Sequence, residues 1–259
     1  MKEKFRLLSL CICLFGCQME KNPHEADNKT LTTIHIELSK KNTSEDFFKL
    51  VEDVRFVPLE TTNENVMGES AKIWVTDSLY YMLVFSSMNL QLHIYTHDGH
   101  FVLKKETEGK GKNEINDLRD FCLGPDNTFY LLGFREYYHY NEKGDLLAVY
   151  PLKTPYEKFN PTQFYISADS CILMFNSSMR PQTPSEKEKY CIYAYDFKQK
   201  TWQNVLKRHT ATVSDNVIIQ SNSSILINPV MGIDTIYAWA DGRFKPLYYI
   251  DFGDNKIKI

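Results

Sequence analysis

Residues 73–103 read IWVTDSLYYMLVFSSMNLQLHIYTHDGHFVL. Two apolar runs meet there at the polar pair Asp77-Ser78, and two more meet at Asp98-Gly99. Asp, Asn, Ser and Gly accept the unusual backbone angles of a two- or three-residue turn, so each unit reads as a β-hairpin. Two hairpins in succession give a four-stranded antiparallel sheet. The first beat recurs around Asp126, Asp169 and Asn222, and the second around Gly144, Gln199 and Gly242. First-beat turns are spaced by 49, 43 and 53 residues and second-beat turns by 45, 55 and 43. Propeller units run to about 40–50 residues. The long step is accounted for by MRPQTPSEKEK at 179–189, a Pro- and charge-rich insertion between the two hairpins of the third unit. A β-sandwich is the alternative, but it has no reason to keep turn type in phase over so long a period. The pattern predicts an all-β fold, a propeller of about four blades between residues 70 and 252, with 54–59 a further strand outside them.

Composition agrees with one all-β domain. The chain has 259 residues, of which 43% are hydrophobic and 14% aromatic, enough to fill a large core. Its 30 basic and 33 acidic side chains leave a net charge of −3, which argues against a nucleic-acid partner.

The N-terminus carries an address. MKEKFR is basic and LLSLCICLFG is an apolar run of ten residues, too short to span a bilayer and of the length of a secretory signal. It ends at Leu14-Phe15-Gly16-Cys17, which resembles the lipobox of bacterial lipoproteins, with Phe15 bulkier than usual. The resemblance implies a signal peptide over 1–16 and lipidation of Cys17. Residues 17–30 are polar and aperiodic, a flexible tether to a propeller domain over 31–259. The expected location is the cell envelope, anchored in the outer membrane by the N-terminal lipid, with the membrane face left open.

Further along, VRFVPLETT at 54–62 resembles the opening strand of six-bladed, NHL-like β-propeller lipoproteins of Gram-negative anaerobes. Ile94-Tyr95 with Asp98-Gly99, the loop GKGKNE at 109–114 and Asp120-Phe121 add to the likeness, which runs from about residue 31 to the C-terminus. In that loop Lys112 and Asn113 replace the family's usual Pro and Gly. Six blades need about 270 residues. Only four are found, so the resemblance implies a propeller that is incomplete relative to the six-bladed ring, as in a shortened product or fragment. A closed four-bladed ring is the alternative.

Catalytic motifs are missing from the sequence. It has neither the G-x-S-x-G of a nucleophile elbow nor a G-x-x-x-x-G-K-[ST] phosphate loop. Gly109 and Gly111 lack the third glycine of a dinucleotide site. His93, His97 and His100 read as surface residues rather than metal ligands, so no metal and no cofactor is expected. Cys122 reads as a buried small hydrophobe, and a Cys171–Cys191 disulfide stays open. Tyr137, Tyr138, Tyr140, Trp74, Trp202 and Trp239 read as core or blade-to-blade packing.

Residues 104–119 differ in character, being charged and glycine-containing and lacking strand alternation. Gly109, Lys110, Gly111, Lys112, Glu114 and Arg119 are therefore the candidate ligand-binding residues, suited to a partner bearing carboxylates or sulfates. The expected function is a non-enzymatic, lipid-anchored envelope module that binds a protein, peptide or glycan. The alternative is a propeller glycan lyase or hydrolase, for which Glu114 and Asp120 are the nominated carboxylate pair.

If Cys17 carries acyl chains, each buried methylene adds about 0.8 kcal/mol of membrane affinity. Cys17→Ser is expected to move the protein from the detergent-requiring membrane fraction to the soluble fraction, measured by fractionation and immunoblotting.

Overall fold

The computed structural model describes residues 31–36, 49, 51–86, 89–124, 127–156, 159–167, 171–176, 190–207, 218–221, 224–227 and 234–253. The expected signal peptide over 1–16, Cys17, the expected tether over 17–30 and residues 179–189 lie outside the described residues.

The described residues form a β-propeller of four blades, each an antiparallel sheet whose strands pair in chain order. Blade 1 comprises β2 (Glu69–Val75), β3 (Leu79–Ser86), β4 (Asn89–Thr96) and β5 (Phe101–Glu106). In blade 2 the strands are β6 (Asp120–Leu123), β7 (Phe129–Leu132), β8 (Glu136–Tyr140) and β9 (Leu146–Pro151). Blade 3 follows with β10 (Gln163–Ile166), β11 (Cys171–Phe175), β12 (Tyr190–Asp196) and β13 (Thr201–Lys207). Blade 4 is β14 (Ile218–Ser221), β15 (Ser224–Ile227), β16 (Thr235–Ala240) and β17 (Arg243–Asp251). A fifth strand, β1 (Thr32–His35), adds to blade 4 in parallel to β17, with Thr32 opposite Tyr248 and His35 opposite Asp251. Every first-beat hairpin joins the second-beat hairpin that follows it, as the turn rhythm predicts.

Turn chemistry sets these hairpins. In blades 1 and 2 the last turn residue is a glycine in the left-handed region, Gly99 at φ 86° and Gly144 at φ 81°, each donating its amide back across the loop, to Thr96 and to Asn141. Blade 4 uses the tighter two-residue form, with Asp241 and Gly242 both at positive φ and Ala240 paired to Arg243. Blade 3 has no glycine at this place. There the left-handed residue is Lys200 at φ 56°, and the Asp196 carboxylate caps the turn by accepting from the Lys198 and Gln199 amides.

Side chains alternate along each strand, so each blade has two apolar faces, and neighbouring blades bury facing ones. Tyr81, Leu92 and Ile94 of blade 1 meet Phe121, Phe129 and Tyr138 of blade 2. Cys122, Leu132 and Tyr137 meet Phe164, Met174 and Tyr193 of blade 3. Leu173, Phe175 and Ile192 meet Ile218, Ile225 and Trp239 of blade 4. Tyr137, Tyr138, Tyr140 and Trp239 are thus core residues, and Trp74 and Trp202 pack half-buried against the same clusters. Cys122, Cys171 and Cys191 are all buried, and no Cys171–Cys191 disulfide forms. No buried apolar cluster among the described residues joins blade 4 to blade 1, and Ile73 and Val75 of β2 remain 53% and 51% exposed.

A polar tie repeats beneath the apolar packing. Lys72, Asp120 and Gln163 occupy matching places in the first strands of blades 1, 2 and 3, and each reaches the backbone of the next blade. Lys72 Nζ donates to the Phe121 carbonyl at 2.6 Å, Asp120 Oδ2 accepts from the Phe164 amide at 3.0 Å, and Gln163 Oε1 accepts from the Ile218 amide at 3.3 Å. Lys72 and Asp120 also pair directly at 2.8 Å.

The expected strand at 54–59 is not formed. Pro58 has no amide to donate to a ladder, and the stretch keeps Phe56 90% exposed. It runs as extended coil over the blade 1 rim, where Glu60 donates its amide to the Gly99 carbonyl and its carboxylate accepts from the Phe101 amide. A Cβ on Gly99 would come within 2.0 Å of the Pro58 oxygen, so this glycine serves both the turn and the close approach of that coil. The extra strand is instead β1, on the opposite terminal blade.

Removing one member of a buried ion pair leaves the other uncompensated, at a cost of about 3–5 kcal/mol. Asp120→Ala is expected to lower the urea midpoint accordingly, and the double variant Lys72→Met with Asp120→Leu to recover part of the loss. Additive effects of the two changes would show that the pair is not coupled.

Candidate functional site

The first strands of blades 1, 2 and 3 begin on the same side of the propeller, at Glu69, Asp120 and Gln163. A cavity of about 810 Å³ opens there. Blade 1 contributes Glu69, Ser70, Lys72, Phe85 and Asn89, and the links between blades contribute Thr107, Asp117, Arg119, Asn160 and Thr162. Leu83, Leu90 and Leu118 supply apolar wall.

The link from blade 1 to blade 2 is a built loop. Ile115 and Leu118 are buried in the core between those blades. The Tyr138 hydroxyl donates to the Glu114 carbonyl at 2.7 Å, and the Leu118 amide donates to Thr107 Oγ1 at 3.0 Å. Phe134 donates its amide to the Asn116 carbonyl, tying the same loop to blade 2.

Of the six candidate residues in this loop, Arg119 alone lines the cavity. Gly109 and Gly111 surround the Glu114 carboxylate, which accepts from the Gly111 amide at 2.7 Å. A Cβ on either glycine would come within 2.6 Å of that carboxylate, so both are small for the sake of the loop's own closure. Lys110 and Lys112 point to solvent at the loop tip. The nominated pair of carboxylates is divided: Glu114 is turned onto its own loop, whereas Asp120 is buried between Lys72 and the Phe164 amide.

Arg119 is held from several sides. Its Nε and Nη2 donate to Asp117 Oδ2 at 2.9 and 2.6 Å, Nη1 donates to Asn160 Oδ1, and the guanidinium lies 4.8 Å from the Phe134 ring centre. Lys72 lies 4.8 Å over the Phe121 ring while paired with Asp120. Burial pushes the Asp120 carboxyl up, and the Lys72 ammonium and the backbone amides pull it down. Burial also drives the Cys122 thiol up to about 12, which leaves it unreactive as a nucleophile.

The histidines divide. His100 is exposed beside Glu60, and His97 stacks on Tyr80 and donates to the Thr76 carbonyl at 2.7 Å. His93, expected at the surface, is 0% exposed: it lies in β4 between β3 and β5, with the Phe101 ring edge-on to it. It donates from Nε2 to Gln91 at 3.0 Å, and the Gln91 amide donates in turn to Glu106 at 2.7 Å.

Lys72, Phe85, Asn89, Asn160 and Thr162 escaped sequence reasoning. They come from separate stretches and share no motif, and the available signal was that cavity walls gather where successive first strands begin.

The family model for a domain of unknown function, DUF4934, matches residues 31–259. The chain belongs to the DUF4934 family. Comparison with curated proteins found no match. Among solved structures, a candidate exported protein of Bacteroides fragilis NCTC 9343 is similar at 15% identity with a TM-score of 0.63, over 86% of this chain and 60% of its own. A member of the DUF4221 family from Bacteroides vulgatus is 12% identical with a TM-score of 0.49, over 78% of this chain and 62% of its own. The extracellular domain of a candidate hybrid two-component system from B. thetaiotaomicron is 12% identical with a TM-score of 0.43, over 76% and 24%. The B. fragilis likeness is one of fold, and the DUF4934 chain spans 60% of that protein's length.

Burial holds the His93 side chain below the ordinary histidine value, with Lys104 adding to the effect and Glu106 opposing it. His139, stacked on Tyr130, is lowered by burial as well. A lowered value means that the unfolded chain takes the proton first, so stability present above about pH 6.5 is lost as the pH falls. His93→Gln is expected to flatten the fall of the thermal midpoint between about pH 7 and pH 5. Scanning calorimetry across that range checks it, and an unchanged slope counts against the assignment.

Proposed function

We propose that this DUF4934 protein is a lipid-anchored propeller of the cell envelope that binds a protein, peptide or glycan partner in the cavity over blades 1 to 3. The cavity carries the reading. Its volume of about 810 Å³ falls within the range of ligand sites, and its polar groups converge from three blades and their links onto one opening. Lipid anchoring rests on the short apolar run before Cys17 and the polar stretch after it. The relationship to six-bladed, NHL-like lipoproteins rests on the stretch at 54–62 and on that cysteine. An envelope location also suits the likeness to the B. fragilis candidate exported protein.

Binding is favoured over glycan hydrolase chemistry. Glycan hydrolysis uses a pair of carboxylates placed across the scissile bond. Here the Asp120 and Glu114 carboxylates are both engaged within the protein, one by Lys72 and the Phe164 amide, the other by its own loop.

The experiment compares the unaltered protein with Asn89→Trp, which fills the cavity from an exposed position, and with the Lys110→Ala, Lys112→Ala pair, which alters the loop tip. Each is screened against envelope fractions and a glycan array. Partners are expected to bind the unaltered protein and the lysine pair but not Asn89→Trp. Equal binding by a folded Asn89→Trp protein moves the site elsewhere.

A further inference from the structure

Apart from the exposed Glu69, the charged groups of the cavity answer one another, and what remains is a set of uncharged hydrogen-bonding groups beside a bare aromatic ring. Lys72 is paired with Asp120 at 2.8 Å, and Arg119 is paired twice with Asp117. An anionic ligand would have to compete with Asp117 for the guanidinium and would face Glu69 at the rim. A cationic ligand would find only Glu69 uncommitted, because Asp117 and Asp120 already hold Arg119 and Lys72. Breaking either internal pair to bind a charge would leave a partly buried partner uncompensated.

The lining also holds uncharged hydrogen-bonding residues. Ser70 and Thr162 bring hydroxyls and Asn89 brings an amide to the lining. Thr107 Oγ1 accepts from the Leu118 amide and keeps its hydroxyl proton to donate. Asn160 Oδ1 accepts from Arg119, which turns the two amide protons of Asn160 away from the guanidinium. Phe85, near the end of β3, lines the same cavity and is 51% exposed, so its ring is open to a ligand there.

We infer that the cavity takes a neutral oligosaccharide, with Phe85 as the platform under one sugar ring and Ser70, Asn89, Thr107, Asn160 and Thr162 as partners for its hydroxyls. This rests on the proposed binding role of the same cavity and narrows it to one ligand class. A pyranose presents hydroxyls around its edge and an apolar C–H face, and the lining offers side-chain hydroxyls and amides around an exposed ring. The inference departs from the anionic partner that Lys110, Lys112 and Arg119 suggest in sequence: the two lysines stand outside the cavity lining, and Arg119 is already neutralised.

The test uses residues 17–259 with neutral gluco-, manno- and xylo-oligosaccharides, uronate-bearing and sulfated oligosaccharides, and a random peptide library, followed by calorimetry on what binds. The expected result is binding of a neutral oligosaccharide whose Kd changes little between about 50 and 500 mM salt, since screening acts on exposed charges. Phe85→Ala and Asn160→Ala are each expected to weaken it by about fivefold to tenfold with the circular dichroism spectrum unchanged. Preference for uronate or sulfate with steep salt dependence overturns the inference, as does binding of peptides alone. So does neutral binding that neither variant weakens. If envelope partners are captured through the cavity while no neutral oligosaccharide binds, this inference fails and the binding role stands. If Asn89→Trp also leaves capture unchanged, the binding role fails with it.

Discussion

The carboxylate of Asp120 joins three blades at once. It stands on the first strand of blade 2, pairs with Lys72 of blade 1 and accepts the Phe164 amide of blade 3. First strands sit where the blades crowd together, and their free edges carry backbone groups that need partners. A backbone bond to every neighbour is not possible there, so side chains at one repeated place do the work: Lys72, Asp120 and Gln163 each reach one blade onward. The aromatic layers between blades then set against one another at a spacing this tie has fixed. The cavity depends on it too, because Lys72 and Asp120 form part of its wall.

The blade pattern was legible because turn chemistry is local. Asp98-Gly99, Lys143-Gly144 and Asp241-Gly242 announce their backbone angles from the residues alone, and alternation about them assigns the faces. What escaped were contacts between distant segments. Strand β1 is only four residues long and exposed throughout; pairing to β17 defines it. The 54–59 stretch looks like a strand by residue type, but Pro58 and the rim of blade 1 hold it as coil. His93 is polar by type but is buried within blade 1, between β3 and β5.

The binding region was legible in part for the same reason. Charge and glycine drew attention to 104–119, which does contribute Thr107, Asp117 and Arg119 to the cavity. The glycines, however, close the loop around Glu114, a role that a run of residues cannot distinguish from one facing a ligand. Most of the wall comes from strand starts and links that are distant in sequence, and their convergence is a property of the blades' arrangement.

The repeated tie also bears on how such a chain can change over generations. The blades are alike in shape, but the residue at the shared place is Lys in the first, Asp in the second and Gln in the third. Each choice suits only its neighbour. Copying blade 1 next to itself would set lysine against lysine where Lys72 now meets Asp120, and exchanging blades 1 and 2 would turn the lysine toward the Phe164 amide that Asp120 now accepts from. Duplication and recombination, the ordinary routes by which repeat proteins lengthen, are therefore constrained here by polarity rather than by shape. The order of the blades is thus tied to this one repeated contact.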